Sequence, residues 1–178
     1  MRIIITGGNG FLGSSLLRKL LSLGHTLLVF SKNSNNITDT LSTITFIKAS
    51  NKDLSLFKED IEKFAPDLVI HAGWGGGNSY KDINELLQFE ENIEPSISFL
   101  QVLSNLPTKP KFIGFGSFAE YGRQLEVVTE LTNPEPINLY GLSKLVFKNY
   151  SELLCGLWGM DWLWIRPCYV YGPGDVQS

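Results

Sequence analysis

The first residues, Met1-Arg-Ile-Ile-Ile-Thr-Gly-Gly-Asn-Gly-Phe-Leu-Gly13, leave this chain few ways to begin folding. A short apolar run ends in glycines at Gly7, Gly10 and Gly13, and Phe11-Leu-Gly-Ser-Ser-Leu-Leu-Arg-Lys-Leu-Leu21 follows with helical spacing. Gly7 permits a tight turn after a strand. Gly10 lets the backbone approach a pyrophosphate, where a Cβ would collide. Gly13 lets the helix pack closely on the strand. The unpaired N–H groups at the helix start would face an anion. A glycine pattern alone is weak evidence, but a strand before it and a helix after it are the context that a dinucleotide cradle requires.

The rest of the chain repeats the alternation. Spacing predicts strands at Arg2–Thr6, Thr26–Phe30, Ile44–Lys48, Asp67–His71, Lys111–Phe115 and Asp161–Arg166. It predicts helices at Phe11–Leu23, Asp53–Phe64, Asp82–Leu106 and Asn138–Trp158. The second is expected to be capped near Asn51 or Asp53 and the third interrupted at Pro95, while Ser31–Thr43 reads as a polar loop. Strands alternating with helices argue for an α/β, Rossmann-type, doubly wound parallel sheet with helices on both faces, one domain over residues 1–178. A net charge of −3 without a basic block argues against nucleic acid as partner. The apolar runs are too short to span a bilayer, and no leader peptide is visible. Cys155 and Cys168 lack metal-ligand spacing, so no metal is expected and both read as reduced thiols of a cytoplasmic protein.

Three residues suggest chemistry. Tyr140 and Lys144 stand at i and i+4 on one helix face. A phenol with a pKa of about 10 shuttles protons poorly at neutral pH, and a nearby ammonium favours its phenolate. Lys144 can supply that charge and also bond a ribose hydroxyl. Ser117 follows the fifth strand, at the carboxyl edge of the sheet where open α/β folds bind ligands. The order of glycine turn, serine and Tyr/Lys helix carries the weight, since a lone Y-x-x-x-K is common. His71 and His25 read as structural, and Trp158, Trp162 and Trp164 as core or interface.

With these residues in place the chain resembles the extended short-chain dehydrogenases/reductases of the NAD-dependent epimerase/dehydratase group, which act on nucleotide sugars. Thr6–Gly13 matches the glycine motif of that family. His71-Ala-Gly-Trp74 matches a strand end bordering the cofactor, and Asn92 an asparagine of the next helix. Gly116-Ser-Phe-Ala-Glu-Tyr-Gly122 carries Ser117 at the catalytic Ser/Thr position. Tyr140 and Lys144 match the catalytic pair, and Arg166-Pro167 opens a segment lying against the nicotinamide. The resemblance thus implies catalytic Ser117, Tyr140 and Lys144. It implies cofactor contacts at Gly7, Asn9, Gly10, Phe11, Leu12, Gly13, Ala72, Gly73, Trp74, Asn92, Tyr140, Lys144 and Pro167.

The departures from the family are informative. Its 4,6-dehydratases carry Asp-Glu after the catalytic Ser/Thr, whereas here Phe118 and Ala119 follow, which argues against a dehydratase. Glu120 comes one place late and reads as a solvated edge carboxylate. Ser31-Lys32 replaces the acid that usually ends strand two, which leans toward NADP(H), with Arg2 as an expected assistant. Ser50 replaces an adenine-binding Asp, and Tyr169 a substrate-facing Asn. The resemblance implies an NAD(P)-dependent epimerase or 4-ketoreductase of a nucleotide-linked 4-keto-6-deoxy sugar, dimerising through its two long helices. Family members are longer, and their substrate region follows the Gly172-Pro-Gly174 segment. The cofactor part is therefore expected here without most of the substrate clamp. A non-catalytic NAD(P)-binding or redox-sensing module and a reductase of a small carbonyl compound remain as alternatives.

Overall fold

The computed structural model describes residues 1–33, 43–75 and 87–172. Its strands are β1 (Arg2–Thr6), β2 (Thr26–Ser31), β3 (Ile44–Lys48), β4 (Leu68–His71), β5 (Lys111–Phe115) and β6 (Trp162–Ile165), and its helices α1 (Phe11–Ser22), α2 (Lys58–Phe64), α3 (Glu94–Ser104) and α4 (Leu139–Trp158). All strand pairs are parallel, in the order β3-β2-β1-β4-β5-β6. The chain winds outward from β1 to β3, then returns and winds the other way from β4. The reversal leaves a crevice between the carboxyl ends of β1 and β4, where such sheets bind ligands.

Alternating side chains build the two layers around the sheet. Ile3, Ile5, Leu27, Val29 and Ile70 pack on one face with Leu17 of α1. Ile4, Leu28, Val69 and Phe112 pack on the other with Phe99 and Leu103 of α3 and Phe147 of α4. Since α1 covers the β1–β2 side, Leu163 of β6 stays 51% exposed on that face.

Three local features differ from the sequence expectation. The segment predicted as a helix from Asp53 begins as a 3-10 turn over Asn51–Phe57. Ser50 caps it, not Asn51 or Asp53: the Asp53 carboxylate takes the Ser50 N–H at 2.8 Å and its hydroxyl at 2.6 Å. Residues 82–86 of the predicted third helix lie outside the described residues. From Phe89 to Ile93 that helix widens into a π turn, with Pro95 at the start of α3. Proline donates no backbone hydrogen bond, and the widened turn accommodates it without ending the helix. Ser31 is the last residue of β2, paired with Lys48 of β3, so the strand runs one residue further than predicted. The remainder of the predicted loop, 34–42, and residues 173–178 lie outside the described residues.

Candidate active site

A cavity of about 530 Å³ opens at the β1/β4 switch point. Its floor is made of glycines because nothing larger fits. Gly7 has a φ of +70°, and a Cβ there would stand 2.6 Å from the Cα of Gly73. A Cβ on Gly13 would stand 2.1 Å from the carbonyl oxygen of Gly7, so this glycine serves the turn more than the strand. Gly7, Asn9 and Gly10 line the cavity, whereas Phe11, Leu12 and Gly13 open α1 beneath it. Both polar atoms of the Asn9 side chain are buried with no hydrogen-bond partner in the protein. An unsatisfied amide beside a glycine turn is costly unless a ligand completes it.

The opposite wall is fixed by hydrogen bonds. Asn92, 1% exposed, receives the Gly75 N–H at 2.7 Å and donates to the Gly75 carbonyl at 3.2 Å. Asn51, which the sequence reading used only as a possible cap, donates to the Gly73 carbonyl at 3.0 Å and lines the same cavity. Gln88 was not singled out at all. Its Oε1 accepts from Trp74 Nε1 at 3.0 Å, Asn92 Nδ2 at 3.1 Å and Ser143 Oγ at 3.1 Å, tying the wall to α4. A lone Gln inside the predicted helix Asp82–Leu106 gives no signal of this. Ala72, Gly73, Trp74, Ser31 and Lys32 complete the lining named from the sequence. Arg2 does not take part: it begins β1 at the far edge of the sheet, where its guanidinium donates to the Lys63 carbonyl at 2.9 Å.

Beyond Trp74 lies a second cluster. Lys144 is 4% exposed; its ammonium donates to the Phe115 carbonyl at 2.7 Å and sits 4.0 Å from the centre of the Trp74 ring. Burial pushes this lysine down to about 7, with Glu120 pulling the other way. Tyr140, half-buried, opens α4, whose first turn is capped by Asn138 accepting the Gly141 N–H at 2.7 Å. A Cβ on Gly141 would stand 2.3 Å from the Ala119 carbonyl, so the start of α4 lies directly on the turn that follows Ser117. Ser117 caps that 3-10 turn, Phe118–Tyr121, and the Phe118 N–H donates to the Pro167 carbonyl at 3.1 Å. Ser117, Tyr140, Lys144 and Pro167 thus gather at the carboxyl ends of β5 and β6, with Trp74 shared between them and the cavity.

Two readings at this cluster resolve differently. Glu120 is not a solvated edge carboxylate: it is 0% exposed and paired with Arg166, Nε to Oε2 at 2.6 Å. His71 is structural as expected, bonded to Thr6 at 2.8 Å and Ser96 at 2.9 Å; burial, with a small contribution from Lys144, holds it down at about 3. Among the described residues, no group of three or more His, Cys, Asp or Glu could hold a metal ion. No helix there is long and apolar enough to cross a membrane.

A parallel sheet in this strand order, with a glycine turn after β1 and a cavity at its switch point, defines a Rossmann-type dinucleotide-binding fold. The chain belongs to the NAD dependent epimerase/dehydratase family, whose pattern it matches over residues 3–178. A Methanocaldococcus jannaschii relative, provisionally described as a UDP-glucose 4-epimerase, is 28% identical over 96% of this chain and 56% of its own length. The UDP-glucose 4-epimerase of Halalkalibacterium halodurans is 25% identical over 93% of this chain and 50% of its own. The chain therefore spans about half the length of the curated relatives it matches. Among solved structures, the Thermotoga maritima UDP-glucose 4-epimerase with UDP-glucose superposes with a TM-score of 0.85 at 26% identity, over 97% of this chain and 57% of that one. The Bordetella bronchiseptica enzyme WbmG with NAD gives 0.76 at 26%, over 93% and 52%.

Proposed function

We propose that this chain is the dinucleotide-binding and proton-transfer part of an NAD(P)-dependent nucleotide-sugar epimerase or 4-ketoreductase. The observation that carries this reading is Trp74. It lines the cavity and its ring lies against the buried ammonium of Lys144, which supports reading the cavity and the Tyr/Lys pair as parts of one site.

The residues present fit the cofactor: a glycine floor that a Cβ would fill, an orphaned Asn9 amide, and backbone N–H groups at the start of α1. When bound, the nicotinamide supplies the hydride chemistry. The chain's own residues handle the proton. Tyr140 acts as general acid/base on the sugar hydroxyl or carbonyl, Lys144 lowers the pKa of that phenol and holds the ribose, and Ser117 bonds the reacting oxygen. Phe118 and Ala119, at the positions where elimination of water needs an acid and a base, disfavour a dehydratase. Ser31 and Lys32 face the cavity, and the nearby Asp53 and Glu91 carboxylates are engaged by Ser50 and Lys52. A 2′-phosphate would meet a cation there, so NADP(H) is the proposed cofactor, although WbmG is described with NAD.

Relatives named for UDP-glucose support a nucleotide sugar as the substrate class; a 4-keto-6-deoxy sugar is the member of that class proposed here. The outward residues Leu142, Tyr150, Leu153 and Leu157 of α4 are exposed and would meet a second copy in a cytoplasmic homodimer. Calorimetric titration with NADPH and NADH separately tests the cofactor, and Tyr140→Phe tests the chemistry. Tight NADPH binding and turnover lost in that variant are expected. Binding of neither nucleotide, or undiminished turnover in the variant, refutes the reading.

A further inference from the structure

Glu120 is a charged side chain wholly enclosed at the edge of the site. Its carboxylate collects four contacts from donors. Oε1 accepts the Ser117 N–H at 2.9 Å and Trp164 Nε1 at 3.1 Å. Oε2 accepts Arg166 Nε at 2.6 Å and lies 3.3 Å from the same indole nitrogen. Arg166 continues to the Tyr121 hydroxyl at 3.2 Å. The backbone makes room for this group: a Cβ on Gly116 would stand 2.1 Å from Oε1 and 2.3 Å from Trp164 Nε1. Burying a carboxylate is expensive, and an apolar residue of similar volume would pack such a turn as well or better. Retaining the carboxylate needs a reason beyond packing.

We propose that Glu120 is a positioning residue of the proton-transfer site, tying Ser117 to the end of β6 through Arg166 and Trp164 and holding a buried negative charge against Gly116, the residue after the Phe115 carbonyl on which the Lys144 ammonium rests. The inference rests on the reading of Ser117, Tyr140 and Lys144 given above. The titratable groups around Lys144 are Tyr140 on its own helix, His71 on β4 and Glu120 on the turn after β5, with Arg166 behind Glu120. His71 stays neutral down to about 3, so it brings no positive charge to the site near neutral pH. Glu120 favours the ammonium form of Lys144 against its desolvation. Without that carboxylate, Lys144 loses a charge that favours its ammonium form and sheds its proton at lower pH.

The test reads Lys144 directly through the indole beneath it. The emission of Trp74, taken as the difference between the chain and its Trp74→Phe variant, is followed from pH 5 to 10. A transition near pH 7 is expected, and it must vanish in Lys144→Met. In Glu120→Gln the midpoint falls by about half a unit or more, and in Glu120→Asp, which keeps the charge, it stays near the original. Glu120→Met, of similar volume and without charge, is the second handle should Glu120→Gln fail to fold, and it lowers the midpoint likewise. A folded Glu120→Gln or Glu120→Met with an unmoved midpoint overturns the proposal, as does the absence of any transition tied to Lys144. A merely structural role would lower the melting temperature and leave the midpoint alone. Cofactor and substrate play no part in this readout, so failure of the catalytic reading shows separately, in the Tyr140→Phe turnover.

Discussion

Alanine at two helical glycines gives opposite results if the cradle is as tight as it stands. A Cβ on Gly13 would be 2.1 Å from the Gly7 oxygen, 2.9 Å from the Gly7 carbonyl carbon and 2.9 Å from the Gly8 Cα. All three are backbone atoms, and the closest approach is more than an ångström short of ordinary contact. Helix preference returns about 1 kcal/mol to alanine. Forcing apart a packed turn costs about 1–3 kcal/mol. The net runs from about zero to a loss of about 2 kcal/mol, or a fall of up to about 4–8 °C in melting temperature for a chain of this size. A Cβ on Gly156, in the last turns of α4, meets nothing within 4 Å. There alanine gains propensity alone, about 1 kcal/mol, and melting rises by about 2–4 °C. Denaturant titration of both variants measures the difference, and calorimetry measures NAD(P)H binding. Gly13→Ala is expected to weaken binding at least tenfold, and Gly156→Ala to leave it unchanged. Gly13→Ala melting at or above Gly156→Ala, or binding cofactor normally, refutes the reading of the turn.

Other expectations follow from single contacts. His71 is held at about 3 against an ordinary 6.5, so the unfolded chain takes up a proton in that window while the folded one does not. Stability should therefore fall as pH drops from about 6.5, by up to about 1.4 kcal/mol per pH unit, and urea midpoints at pH 7 and 5 should converge in His71→Gln. Asn138→Ala removes the acceptor of the Gly141 N–H and should cost about 1 kcal/mol, read by chemical denaturation. Ser31→Asp places a carboxylate at the end of β2 and should reverse the ratio of NADPH to NADH affinity in calorimetric titration; an unchanged ratio would remove Ser31 from cofactor choice.

The framework was legible because period and punctuation agreed. Strands β1, β3 and β5 have their expected bounds, since each is an apolar run closed by Gly, Ser or Ala signals. The shape of the cradle was legible because glycine spacing encodes backbone geometry. Side-chain hydrogen bonding across distant segments was not. Gln88 and Asn51 act on residues 14 and 22 positions away, and nothing local marks them. Glu120 was misread for a related reason. A carboxylate one residue past the expected position looks like an edge group unless Arg166, forty-six positions on, is known to fold back onto it.

The aromatic layer beneath the site links its charge to its stability. Phe147, fully buried, lies 5.6 Å from His71, 5.8 Å from Trp74, 5.9 Å from Trp164 and 6.4 Å from Phe112, ring centre to ring centre. One turn before it on α4 stands Lys144, and the water these rings exclude is the hydration the ammonium lacks. Phe147→Leu should therefore act twice. It loosens the layer at a cost of about 1–3 kcal/mol, and by admitting water it raises the Lys144 midpoint toward its ordinary value. Phe99→Leu also thins the packing on His71, but from α3, whereas Phe147 packs against Trp74, the ring that covers Lys144. Its stability cost should be similar and the Lys144 midpoint unmoved. The pair separates local desolvation from general weakening, and equal midpoint shifts in both variants would refute the claim that Phe147 is what keeps Lys144 dry.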